Sequence, residues 1–178
     1  GSVPVSWKGQ RLVLPGTVVW EEAGAVRRYD VAATVLAAAT ARVPADLDRR
    51  AVRGALWSSP VVVGTPTAKR DAARRLGAVA VEMETAALAT VADERGVALL
   101  ALRAILDGVD VSLEDLPPDL DGSWSARARL LARPKAWPGV VTLARHVPRA
   151  AATLRRAAAA IFPGLSPDLA CLPPGGPI

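Results

Sequence analysis

Three carboxylates, Glu82, Glu84 and Asp107, stand where strands give way to other structure. Ala78–Glu82 (AVAVE) reads as a short apolar strand, and a helix begins at Met83–Glu84. Leu99–Ile105 reads as a second apolar strand, followed by Leu106-Asp107. Strands that are nearly continuous apolar runs are expected where a parallel sheet is covered on both faces. Carboxylates at the ends of such strands lie where parallel α/β sheets open their ligand crevice. A carboxylate in that setting costs free energy unless it is paired, solvated or used. Glu84 and Asp107 are therefore the first candidates for chemistry.

Each acid has two readings. Glu82 and Glu84 alternate on an extended segment and share a face there, then diverge once the helix starts. Either both are first-turn acids that complement the helix dipole, or Glu84 accepts hydrogen bonds from a vicinal diol, as acids that hold ribose hydroxyls do. Two carboxylate oxygens match two adjacent O–H donors. Arg103 and Asp107 lie four residues apart across a strand end. Either they form a salt bridge, worth little if exposed, or Asp107 is a general acid in a partly dry site, pushed toward neutrality by desolvation. The residue pattern alone leaves both pairs of readings open.

Other chemistries find no residues. His146 is the single histidine and sits in a helical pattern near the C-terminus; with Cys171, the single cysteine, it cannot make a zinc site. No metal is expected. There is no Ser in a GxSxG elbow and no Gly-rich loop of the Walker or dinucleotide type.

The surrounding pattern supplies the elements that position these residues. Pro15-Gly16 leads into a strand at Thr17–Trp20. Asp30–Val43 has helical spacing, with Asp30 as its predicted cap and Pro44 as its stop. Ala51–Val63 reads as a strand broken near Gly54 and Ser58-Ser59-Pro60. Thr65 or Thr67 caps a helix through Leu76, with Pro66 in its first turn and Gly77 at its end. The helix from Met83 runs to about Arg95 and stops at Gly96. Strands and helices that alternate in this way predict βαβ units with right-handed crossovers. Gly108–Gly122 is an acidic loop, and Ser123 or Ser125 starts a helix through Leu131. Trp137–Ala160 is a helix with an expected kink at Pro148, and Phe162–Ile178 is a Pro-rich tail.

Composition narrows the partners. The net charge of +5 comes from 22 basic and 17 acidic residues, and the basic residues are scattered without a block of five or more. Seven aromatics without basic interleaving give no base-stacking platform, so no nucleic-acid partner is expected. No run of about 18 uncharged apolar residues suggests a membrane span, and no secretory signal is visible. A lone cysteine excludes an intrachain disulfide framework. A cytoplasmic setting is the expectation.

Val81-Glu82-Met83-Glu84-Thr85-Ala86-Ala87, followed by Leu102-Arg103-Ala104-Ile105-Leu106-Asp107, resembles the signature of the purine nucleoside phosphorylase/uridine phosphorylase superfamily. The form is closest to its nucleosidase branch, typified by methylthioadenosine/S-adenosylhomocysteine nucleosidase. The resemblance implies that Met83 packs on the ribose, that Glu84 holds its hydroxyls, and that Asp107 protonates or hydrogen-bonds the purine at N7. It also puts Glu82, Arg103 and Thr65 among the substrate-binding residues, Thr65 lying in the stretch Gly64–Thr67 where relatives place the loop that stacks on the base. Pro15-Gly16-Thr17 resembles the family's Pro-Gly-Asp turn. Leu116-Pro117-Pro118 and the stretch from Leu131 to Pro138 resemble a hopanoid-associated phosphorylase-like subgroup, linked to adenine release from adenosylhopane.

The implied fold is α/β, with three layers about a mixed, mostly parallel central sheet that lacks its N-terminal strands. The expected domain is 1–162, helical from about 123, with a tail at 163–178. The implied activity is cleavage of the N-glycosidic bond of an adenine nucleoside, without a cofactor. The alternatives are phosphorolysis with phosphate as co-substrate, or a non-catalytic nucleoside-binding protein of the same descent. Homo-oligomers are common in the family and are expected here. The sequence departs from the family pattern at Leu106, where relatives have Ser, and at Thr17, where they have Asp. Val3-Pro4-Val5-Ser6 stands where a Gly-Gly turn is expected, and the acid or base that prepares the nucleophile has no counterpart. The chain alone is expected to supply half of an active site.

Overall fold

Val18, Val19 and Trp57 give the sheet its buried β-branched and aromatic side chains. The computed structural model describes residues 11–22, 24–113 and 137–165. Its strands are β1 (Leu12–Val13), β2 (Thr17–Glu22), β3 (Ala25–Asp30), β4 (Ala55–Ser58), β5 (Ala78–Glu82) and β6 (Arg103–Ala104). Its helices are α1 (Ala33–Thr40), α2 (Ala45–Asp48), α3 (Pro66–Leu76), α4 (Thr85–Glu94) and α5 (Trp137–Ile161), which ends in a 3-10 turn at Phe162–Gly164. Four strands form one sheet in the order β3-β2-β4-β5. β2 runs parallel to β4 and β4 parallel to β5, while β3 returns antiparallel along β2. β1 pairs antiparallel with β6, and Val13 bridges to Val52.

Register sorts the side chains into layers, because successive residues of a strand face opposite ways. Val19 is level with Arg28 and Trp57, and Trp57 with Val81. This face packs against Ala72 and Leu76 of α3, and Arg28 donates to the Leu76 carbonyl at the end of that helix (3.3 Å). Val18 is level with Tyr29 and Leu56 on the opposite face. There the Tyr29 hydroxyl meets Thr90 of α4 at 3.0 Å, and Ala86 and Ala89 of α4 are buried. The result is an α/β architecture of helix, mixed and mostly parallel sheet, and helix. A second cluster joins Leu12 and Leu14 to Ala39, Val43 and Leu47, and reaches Ala157 and Ile161 at the end of α5. α5 therefore shares a core with the first elements of the chain.

Local signals explain most element ends. Thr65 caps α3 by accepting from the Ala68 N–H at 3.0 Å, with Pro66 in the first turn. Gly77 ends α3 in the left-handed conformation at φ 67°. Several expectations are corrected. Asp30 does not cap α1; it closes β3 and accepts from the Thr17 hydroxyl at 2.7 Å. Pro44 ends the helical pattern but also opens α2 as its N-terminal flank. The strand foreseen over Ala51–Val63 contracts to β4, because Pro60 breaks it and Val61 and Val62 turn outward. The strand foreseen over Leu99–Ile105 contracts to β6, since only Arg103–Ala104 find a partner strand among the described residues. β5 is half-buried along its length rather than covered on both faces. α4 begins at Thr85, two residues after Met83. β3 was not foreseen. The helix expected after Ser123, most of the acidic loop and most of the tail lie outside the described residues.

Gly54 sits where β4 begins, at φ 148°, and a Cβ there would lie 2.7 Å from Cγ1 of Val79. Val79 belongs to the paired strand β5, so the methyl has little room to yield. Gly54→Ala is expected to destabilise the fold by about 1–3 kcal/mol, the range for overpacking. Urea unfolding of the two proteins measures this, and an unchanged midpoint contradicts it.

Candidate functional site

Glu82 is the last residue of β5, and its carboxylate organises the carboxyl end of the sheet. It accepts from the Glu84 N–H at 2.9 Å and from the Thr85 N–H at 3.0 Å. These are among the first amides of α4, which have no partners within the helix. It also accepts from the Arg103 guanidinium of β6 at 2.9 Å. Arg103 donates in addition to the Thr85 hydroxyl at 2.7 Å. Ser58, the last residue of β4, accepts from the Ala86 N–H at 3.1 Å, and the Ser59 N–H donates to the Glu82 carbonyl at 2.7 Å. Ser58, Ser59 and Thr85 are buried. Two strand ends, a helix start and β6 thus meet in one satisfied polar cluster.

Glu84 differs from Glu82 although only Met83 separates them. Its side chain is 83% exposed and lies 3.9 Å from the Arg103 guanidinium. It makes no cap bond to α4. Met83 is also exposed. Both are exposed at the turn between β5 and α4.

Asp107 has a partner that the sequence reading missed. It forms an ion pair with Lys69 of α3, whose side chain is 8% exposed against 24% for Asp107. The Lys69 ammonium also donates to the carbonyls of Val111 at 2.9 Å and Gly108 at 3.3 Å. The supposed Arg103–Asp107 bridge is replaced by two separate pairs, Arg103 with Glu82 and Lys69 with Asp107. The loop after Asp107 is pinned further along α3 by the Arg70–Asp110 pair. It is held at Gly64 too, whose carbonyl accepts from the Leu113 N–H at 2.8 Å. Thr65 spends its hydroxyl on capping α3, so its place in the site is at the start of the helix that carries Lys69.

Glu82, Glu84 and Arg103 are thus in contact, and Thr65 and Asp107 are tied to the same end of α3. A cleft of about 300 Å³ shares Thr85 and Arg103 with the polar cluster; its other walls are apolar, from Leu88, Leu99, Leu102, Leu154 and Phe162. Among the described residues no group of three or more His, Cys, Asp or Glu could hold a metal. None of the described helices is long and apolar enough to cross a membrane. His146 lies in α5, and Cys171 lies outside the described residues. Lys69, Ser58 and Thr85 were missed as site residues. The one available signal was Lys69 itself, a rare lysine in an arginine-rich chain, standing three and seven residues before the buried Ala72 and Leu76.

Burial alone would push the Glu82 carboxyl up. The Arg103 guanidinium, the Glu84 N–H and the Ser58 and Thr85 hydroxyls outweigh burial and hold it below 4.5. A carboxylate lowered in the folded state contributes its full stabilisation above the unfolded value. That contribution is lost as pH falls from 4.5 through the lower folded value. Glu82→Gln should cost about 1–3 kcal/mol at neutral pH, as expected for bonds to charged groups. The cost should shrink once the pH is below the folded value. Denaturant midpoints followed from pH 7 into acid test this, and a gap between the two proteins that does not narrow contradicts it.

No curated protein sequence matches this chain. Among solved structures it is similar to 5′-methylthioadenosine/S-adenosylhomocysteine nucleosidase of Helicobacter pylori, at 18% identity and a TM-score of 0.64, covering 93% of this chain and 65% of that one. The Neisseria meningitidis nucleosidase of the same name, in complex with methylthio-immucillin-A, gives 19% identity and a TM-score of 0.59 over 87% of this chain and 62% of that one. A futalosine hydrolase mutant of Helicobacter pylori gives 18% and 0.54 over 86% and 63%. At these identities the likeness is one of fold, and the chain spans less than two thirds of the length of these structures. The family described as the Phosphorylase superfamily matches residues 10–133. That match takes in every residue of the polar cluster and both partners of the Lys69–Asp107 pair, and by it the chain belongs to the Phosphorylase superfamily.

Proposed function

We propose that this chain carries the ribose- and base-binding part of a nucleosidase that cleaves the N-glycosidic bond of an adenine nucleoside. The observation that carries the reading is the contrast between two nearby carboxylates at the end of β5. Glu82 is consumed by Arg103 and the start of α4, while Glu84 is left exposed beside Met83. Glu84 takes the ribose hydroxyls, and Met83 packs on the sugar. Asp107 is the acid at the purine. Asp107 takes up a proton from solvent at the oxygen that Lys69 does not hold and gives it to N7 as the C1′–N9 electron pair moves into the ring, water adds its hydroxyl to C1′, and the proton that water loses returns to solvent. Membership of the Phosphorylase superfamily and the nucleosidase-like fold support this chemistry.

The apolar cleft beside Arg103 and Thr85 supports a nucleoside with an apolar 5′ substituent, of which adenosylhopane is one example. A homo-oligomer working in the cytoplasm completes the proposal. A second reading, a nucleoside-binding protein without turnover, is favoured by the Lys69–Asp107 ion pair, which engages the acid with a buried cation.

Incubation with 5′-methylthioadenosine and chromatography of released adenine tests the proposal. Asp107→Asn should lower adenine release by about 10²–10⁴-fold, the range for a positioned acid, while nucleoside binding persists. Glu84→Gln should weaken nucleoside binding. Unchanged turnover in Asp107→Asn sinks the assignment. A requirement for added phosphate moves the enzyme to phosphorolysis, and binding without release of adenine selects the second reading.

A further inference from the structure

Lys69 is a buried cation placed where the helix calls for an apolar residue. It lies three and seven residues before Ala72 and Leu76, on the stripe by which α3 packs on the sheet. A Met or Leu there would continue that stripe without removing a charge from water, which costs several kcal/mol per ion before partners compensate. All three ammonium protons have acceptors, and all three acceptors belong to one short segment: the Asp107 carboxylate and the carbonyls of Gly108 and Val111. None serves α3 itself. The bond to Asp107 is made through Oδ2.

We infer that Lys69 is the positioning residue for Asp107, holding one carboxylate oxygen and the backbone that follows so that the other oxygen addresses the purine. The inference rests on the reading of Asp107 as the acid at the base. When the Asp107 proton passes to N7 and the C1′–N9 pair enters the ring, the carboxylate left behind keeps Lys69 as its counter-ion. The same three bonds fix the acid before substrate arrives, which is where misplacement by about 1 Å can cost 10²-fold in rate.

The test is a double-mutant cycle on the full chain, read as adenine released from 5′-methylthioadenosine. Lys69→Met should lower kcat by about 10²-fold with KM little changed, and Lys69→Arg, which keeps the cation, should recover part of the loss. If Lys69 acts through Asp107, the pair Lys69→Met with Asp107→Asn is no slower than Asp107→Asn alone. Losses that multiply in the double variant overturn the inference. So does normal turnover in Lys69→Met when Asp107→Asn is inactive, and then the proposed function still stands. Normal turnover in Asp107→Asn overturns the proposed function and the inference with it. If the chain binds adenine without cleaving the nucleoside, the same cycle is read on calorimetric dissociation constants with the same criteria; absence of both overturns both. Thermal melts of each variant separate loss of folding from loss of positioning, and Lys69→Arg carries the comparison if Lys69→Met does not fold.

Discussion

The Glu82 carboxylate is the point at which β5, α4 and β6 meet. It terminates β5, receives the first amides of α4, and holds Arg103 of β6, while Ser58 at the end of β4 takes the next amide of α4. A helix start buried in this way must find acceptors for its unpaired N–H groups. An acid is well suited to the task because its charge also complements the positive end of the helix. Arg103 adds a planar donor that reaches both the carboxylate and the Thr85 hydroxyl. The crevice floor is therefore a hydrogen-bonded network in which each group satisfies another. Removing one member leaves its neighbours buried and unpaired, the costly outcome for such networks.

That floor also decides which acid is exposed. On the strand, alternate residues share a face; at a helix start, the next residues rotate away. Glu82 belongs to the strand and points into the network, whereas Glu84 stands at the turn into α4 and projects to solvent. Two carboxylates two residues apart thus receive different surroundings from one change of backbone period. Asp107 receives a third, the buried ammonium of Lys69. The candidate site is a graded set: a consumed acid, an exposed acid and an acid paired with a cation.

Local signals were legible in the sequence and long-range ones were not. Thr65-Pro66 and Gly77 mark the ends of α3 as written, because a cap and a left-handed glycine act within a few residues. The Ala78–Glu82 strand was readable from its apolar run. β3 was missed because AVRRYD carries two adjacent arginines and lies almost wholly exposed at the sheet edge, so it lacks the apolar pattern of a covered strand. Leu99–Leu102 has the composition of a strand, yet composition cannot supply a partner; only Arg103–Ala104 pair. The carboxylates were legible in the sequence by their place at the strand ends. Their partners were not, since Lys69 is 38 residues from Asp107 and Arg103 is 21 from Glu82. The nearest arginine in sequence to Asp107 was a plausible partner, and the fold gave it to another acid.

The candidate site is built from a contiguous stretch of the chain. Among the described residues, the bonds of the Glu82 cluster and of the Lys69–Asp107 group run between residues of 58–111. These contacts need no residue before β4. β1 and β2 contribute by packing: Val19 against Trp57 and α3, and Leu12 and Leu14 against the end of α5. The polar geometry around Glu82 and Asp107 is thereby set within one stretch of the chain. A segment can keep its binding geometry when its polar partners are internal to it, because the low-dielectric network that fixes each group is complete. In this chain the internal partner of Asp107 is a lysine on the same helix that Thr65 caps. The start of α3, the loop after β6 and the acid are therefore bonded to one another.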